Sequence, residues 1–134
     1  MPRARLPAPA PLQPADPMTS ATAPSLEQAL AAVAADIDAR FDRLLTVPDD
    51  PRADLYKAMR HAAIGGGKRL RPLLLCATAD LFGVDRDCAG EVAMAVEAIH
   101  VYSLIHDDLP AMDDDDMRRG KPTVVSLAGR DAAI

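Results

Sequence analysis

The chain has 134 residues, 49% of them apolar, 26% charged and 3% aromatic, with a formal net charge of −5. That length suits one domain, and the acidic balance argues against nucleic-acid binding, which needs a basic excess. Few aromatics disfavour a β-sandwich or barrel. Cys76 and Cys88 make no disulfide framework and fit a reduced, cytoplasmic setting. Glu, His, Asp or Arg interrupts each apolar stretch before the ~18 residues a bilayer requires, so no membrane span is expected.

Seven of the twelve prolines fall within residues 1–24, among Ala, Arg, Thr and Ser. Such a segment builds no core, so a disordered Pro/Ala-rich tail is expected there. It has no apolar stretch of the kind a secretory signal carries, and Met18 is an alternative start. Residues 25–134 form the folded portion.

Ser25 and Gln28 have capping-box spacing. Leu26, Leu30, Val33, Ile37, Phe41 and Leu44 follow at helical steps and predict an amphipathic helix that Pro48 stops. Asp50-Pro51 reads as a cap and first position of a second helix, with Leu55, Met59 and Ala62 on its inner face. Gly65-Gly66-Gly67 ends it. A third helix is expected from Pro72, over Leu73 to Phe82, closed by Gly83. Asp87 would cap a fourth, from about Cys88 to Asp108, whose stretch Val92 to Ile105 is apolar on nearly every side and reads as a buried central helix. Thr123-Val124-Val125 is the only strand signal, too short to found a sheet. The fold class is all-α.

Two clusters carry chemistry. In the first, six of the 20 acids lie within ten residues: Asp107, Asp108 and Asp113 to Asp116. Crowded carboxylates repel, and a hard divalent cation such as Mg²⁺ or Ca²⁺ relieves that. In an unbroken helix Asp107 and Asp113 would stand roughly 240° apart. Pro110 breaks the helix, so a loop can return Asp113 towards Asp107 and let the two hold Mg²⁺ with room for substrate phosphates. Arg118 and Arg119 beyond them suit phosphate oxygens. A self-neutralising acidic loop is the plainer alternative. An EF-hand fails for want of its glycine and its last glutamate.

The second cluster is Gly65-Gly66-Gly67-Lys68-Arg69-Leu70-Arg71-Pro72, a glycine turn with three cations at a helix start. It lacks P-loop spacing, and a glycine cap with a basic surface patch would also account for it. His100 shares a helix face with Asp107. It could bond to Glu97 one turn back or donate to a phosphate, and His106 has the same ambiguity.

Residues Gly66 to Pro72, Glu97 to Asp116 and Arg118 to Thr123 together resemble the trans-polyprenyl diphosphate synthase family, nearest to its bacterial farnesyl diphosphate synthase branch. The likeness runs from about Leu26 to Thr123. It implies an isoprenoid-synthase-type helical bundle around a deep cavity, usually a homodimer. It also implies Mg²⁺-dependent head-to-tail joining of isopentenyl diphosphate to an allylic diphosphate. By position, Asp107 and Asp113 correspond to the Mg²⁺ ligands, with Asp108 alongside as a third catalytic aspartate. Arg118 corresponds to the allylic diphosphate binder. Lys68, Arg71, His100 and Arg119 correspond to the isopentenyl diphosphate binders. Tyr102, with Ser103 beside it, corresponds to the position that helps set chain length. A ring there implies a C15 product, and small residues would imply C20, the geranylgeranyl alternative.

After Thr123 the pattern departs: a histidine near Val125, an aromatic near Ala128 and an acid near Arg130 are expected and missing. The second aspartate-rich motif is also missing. The expectation is an incomplete N-terminal portion, inactive alone and poorly soluble, with a frameshifted end as one reading of the departure. An inactive remnant or interaction module is a further reading. The rival enzyme class is an HD-type metal phosphohydrolase with His106-Asp107 as its dyad and His61 and His100 as further ligands, which leaves Gly66 to Pro72 and Asp113 to Arg119 unexplained.

Overall fold

The computed structural model describes residues 24–134, so the tail expected over 1–24 lies, Pro24 excepted, outside the described residues. Helix α1 spans Leu26–Leu44, and its capping box forms as the spacing predicts. The Ser25 Oγ accepts from the Gln28 N–H at 3.2 Å, and the Gln28 Oε1 accepts from the Ser25 N–H at 2.9 Å. Its inner face buries Ile37, Arg40 and Phe41.

Helix α2 spans Ala53–Ala63. Asp50 accepts from the Arg52 N–H at 2.9 Å, but Pro51 and Arg52 form a turn ahead of the helix. The buried residues are Ala58 and Ala63, whereas Leu55 and Met59 are exposed. The expected inner face is therefore rotated. Small alanines let α2 approach its neighbours closely, and no described element covers Leu55 and Met59.

Helix α3, Leu70–Leu81, starts two residues earlier than expected. Pro72 is buried in its first turn, where a missing N–H breaks no helical bond. Helix α4 spans Arg86–Asp107. Its cap is Asp85, not Asp87: the Asp85 Oδ1 accepts from the Cys88 N–H at 2.9 Å. Asp87 turns instead to Arg40, which also binds Asp36 and Glu91. Those bonds hold the Arg40 guanidinium above its ordinary pKa, the Asp36 hydrogen bond most of all. Arg40 lies flat on α4 because Gly90 is there; a Cβ at that position would overlap the guanidinium. Close approach of this kind offsets the conformational cost of a mid-helix glycine.

Helix α4 packs on α1, α2 and α3. Ile37, Phe41, Leu45, Ala63 and Ala93 form the main core. The expectation that α4 is buried all round needs correcting: only Ala89, Gly90, Ala93 and Glu97 are buried, while Ile99 is 69% exposed. The described helices cover one side of it. By length and composition α4 also contains an 18-residue window apolar enough to cross a membrane, with a mean hydropathy of 1.4, which the sequence reading discounted. Core helices share that profile, and α4 carries a buried ion pair on its packed face.

Beyond α4, strands β1 (Met117–Arg118) and β2 (Lys121–Pro122) make a small antiparallel hairpin. Its turn residues, Arg119 and Gly120, have φ of 53° and 77°. Positive φ at both central residues is the turn geometry that matches strand twist in tight hairpins. The expected strand at Thr123-Val124-Val125 is instead a helix start. The Thr123 Oγ1 accepts from the Ser126 N–H at 3.3 Å and caps α5, Val124–Ala128. A last short helix, α6, covers Arg130–Ala133. Val124 and Ala133 pack with Ala58 in a second cluster backed by Ile105 and Leu109. The architecture is helical apart from the hairpin, in agreement with the all-α reading.

Candidate functional site

Asp107 is the last residue of α4 and Asp108 caps it. Pro110 then turns the chain, and the Asp113 N–H donates to the Asp107 carbonyl at 2.8 Å. The returning loop expected from the proline is therefore present, with Asp113 tied to the helix end. Asp114 sits at φ 54°, a left-handed conformation that Asp tolerates better than most residues. Among the described residues, neither Asp107 nor Asp113 has a cationic partner within ion-pair distance.

Asp108 differs from its neighbours. It is 4% exposed, and the Arg118 Nε donates to its Oδ1 at 2.7 Å. Arg118 also lies 3.6 Å from Asp115. The hydrogen bond to Asp108 raises the Arg118 pKa above its ordinary value. Asp108 thus holds Arg118 in place from the buried side, while Asp107 and Asp113 stay accessible.

The basic cluster meets the hairpin beside α4. An open cavity of about 520 Å³ is lined by Gly67, Lys68, Arg69, Leu70, Arg71, Glu97, His100 and Arg119. All four residues expected to bind one diphosphate, Lys68, Arg71, His100 and Arg119, therefore share one cavity. Gly67 is at φ 83°, and a Cβ on it would overlap the Arg119 guanidinium. Lys121 ties the hairpin to the glycine turn, its Nζ donating to the carbonyls of Gly65 at 3.2 Å and Ile64 at 3.4 Å. Burial first, and then the nearby positive charge of Arg71, lower the His100 pKa. The shift favours the neutral imidazole, which can donate one N–H.

One contact left open by the sequence is not made. Glu97 does not bond to His100; it pairs with Arg69 at 2.9 Å. Tyr102 is 60% exposed and packs edge-on against the His106 ring, 4.1 Å between centroids. Ser103 bonds back to the His100 carbonyl at 2.8 Å. The His61 Nε2 lies 2.8 Å from the Pro122 carbonyl oxygen. Among the described residues no three His, Cys, Asp or Glu side chains converge on a metal position, so the phosphohydrolase ligand set is not assembled. The chemistry of Asp107 and Asp113 does fit Mg²⁺, which takes one or two carboxylates and fills its shell with water and phosphate oxygens.

Sequence reasoning missed Arg69, Asp38, Arg40 and Lys121. Glu97, the one acid within the apolar stretch Val92 to Ile105, was the available signal that a buried cation faced it.

Residues 52–134 match the polyprenyl synthetase family, and the chain belongs to it. A farnesyl diphosphate synthase of Geobacillus stearothermophilus is 46% identical over 110 residues, covering 82% of this chain and 37% of that protein. One from Escherichia coli (strain K12) is 55% identical over 80 residues, covering 60% of this chain and 27% of that protein. The crystal structure of an FPP/GFPP synthase from Zymomonas mobilis superposes with a TM-score of 0.76 at 62% identity, covering 78% of this chain and 37% of that one. The chain thus spans between about a fifth and two fifths of the length of the relatives it matches.

Proposed function

We propose that this chain carries the isopentenyl diphosphate site and the first aspartate-rich motif of a prenyltransferase that condenses isopentenyl diphosphate with an allylic diphosphate to give farnesyl diphosphate. The observation that carries the proposal is the shared cavity of Lys68, Arg71, His100 and Arg119 beside the end of α4. Two guanidinium groups, one ammonium and one imidazole suit a compact, highly charged diphosphate, and the guanidinium fork matches its oxygens in pairs. Arg118, held by Asp108, faces the aspartate loop and suits the allylic diphosphate, whose charge grows as its C–O bond breaks. Asp107 and Asp113 would hold Mg²⁺, which supplies Lewis-acid stabilisation of that leaving diphosphate. The apolar side chains of α4 help to keep water from the allylic cation.

The proposal includes a homodimer in the cytoplasm. Exposed apolar side chains such as Leu81, Phe82 and Ile99 leave surface for further protein, and Cys76 and Cys88 are free thiols. Tyr102, five residues before Asp107, would limit product length to C15, with Ser103 beside it. In the protein purified from its native source, Tyr102→Ala should lengthen the extracted prenyl products, and an unchanged product removes Tyr102 from that role.

Calorimetric titration of the chain with inorganic pyrophosphate, without divalent cations, tests the basic cavity. Arg71→Ala should weaken binding about tenfold or more, the loss of one charge-assisted contact. Equal affinity of the two proteins would overturn the site.

A further inference from the structure

Lys68, Arg69, Leu70 and Arg71 are consecutive, yet only Arg69 is buried. Its side chain is 2% exposed and reaches three elements. The Nη1 donates to the Glu97 Oε1 on α4 at 2.9 Å, and the Nη2 to the Asp38 Oδ1 on α1 at 2.6 Å. The Nη2 also donates to the carbonyl of Ala63, the last residue of α2. The Phe41 ring lies under the guanidinium, 5.9 Å away. The backbone of Arg69 is left-handed, φ 50° and ψ 34°, a conformation a non-glycine residue holds only when its surroundings over-determine it. Lys68 and Arg71, on either side of this inward turn, are exposed and line the cavity.

Glu97 is the other half of the device. It is 3% exposed, and it stands three residues before His100 on α4, so both lie on one side of the helix. Glu97 also lines the cavity. A bare carboxylate on the wall of an anion site would oppose binding, but Arg69 neutralises it.

We propose that the buried Arg69–Glu97 pair is a positioning device for the diphosphate cavity. It pins the glycine-rich loop to α4 and so sets the spacing of Lys68 and Arg71 against His100. Both line the cavity, but the Arg69 guanidinium is engaged by Glu97, Asp38 and the Ala63 carbonyl, so the pair is assigned a positioning role. The proposal rests on the cavity being the diphosphate site.

The device makes a prediction opposite in sign to simple electrostatics. Glu97→Ala removes a negative charge from the cavity wall, which by charge alone should tighten anion binding. Loss of the pin should instead weaken it, by about tenfold, the scale of one charge-assisted hydrogen bond. Glu97→Gln keeps an oxygen for the Arg69 Nη1 and should retain affinity within about twofold. The measurement is calorimetric titration of the full chain with inorganic pyrophosphate, free of divalent cations, with helicity followed by circular dichroism. Weaker binding by Glu97→Ala together with rescue by Glu97→Gln supports the device. Equal or tighter binding by Glu97→Ala overturns it, as does a loss in Glu97→Gln equal to that in Glu97→Ala. Arg71→Ala serves as the reference. If it binds as the parent does, the site reading fails; if it weakens binding while the Glu97 variants do not, only the device fails. Should Glu97→Ala lose its helical signal, Glu97→Asp carries the test: its shorter reach to Arg69 should weaken binding several-fold, and unchanged affinity overturns the device.

Discussion

Gly66 and Gly67 are neighbours of the same type, and substituting each with alanine should give different results. At Gly67, φ is 83° and an added Cβ would overlap the Arg119 guanidinium. At Gly66 nothing lies within 4 Å of such a Cβ. Gly67→Ala carries the strain of a side chain at positive φ, about 1–2 kcal/mol. The overlap itself costs little stability, because the far end of Arg119 is exposed and swings away. That swing takes a guanidinium off the cavity wall, at a cost to anion binding of about 1.5–3 kcal/mol, or tenfold and more. Gly66→Ala lacks both penalties and should be neutral or stabilising by about 0.4–1 kcal/mol through the unfolded chain. Urea unfolding followed by circular dichroism reads the stability difference, and pyrophosphate titration reads the binding difference. Equal behaviour of the two variants in both assays would refute this account of the glycine turn.

Gly90→Ala should destabilise the fold by about 2 kcal/mol, since α4 is overpacked against the buried Arg40. In an Arg40→Ala background most of that cost should disappear, because the two substitutions share one contact; additive losses in urea unfolding would count against it. For His100, burial and Arg71 hold the folded-state pKa below its ordinary value. The folded imidazole binds fewer protons than the unfolded one, so its stabilising contribution is present above about pH 6.5 and is lost as pH falls through the folded value. A diphosphate in the cavity supplies negative charge and should draw a proton onto it. Pyrophosphate titrations at about pH 6.5 in buffers of different ionisation enthalpy should therefore show more proton uptake for the parent chain than for His100→Gln, and equal uptake would exclude His100 from the cavity's proton balance.

Local signals determined the elements. The capping box at Ser25 and Gln28, the heptad-like spacing through Phe41, and the glycines after Ala63 and Leu81 each act within a turn or two of chain, so their effect is legible in sequence. The aspartate loop was legible for the same reason: Pro110 ends the helix wherever the helix sits, and the short return to Asp113 follows. The presence of Lys68, Arg71, His100 and Arg119 in one cavity entered through the family resemblance, not through spacing alone.

Tertiary structure decided which charged groups are buried and which are presented. Nothing in Lys68-Arg69-Leu70-Arg71 marks Arg69 as the inward residue, because its acceptors come from Asp38, Ala63 and Glu97, distant in sequence. Asp85 takes the cap expected of Asp87, whose carboxylate pairs instead with Arg40 on another helix. Val124 and Val125, β-branched and strand-like in isolation, became helical under the Thr123 cap, with Val124 packing on Ala58. Periodicity reports that a helix has an apolar side; which part of that side is covered depends on partners that local sequence does not encode.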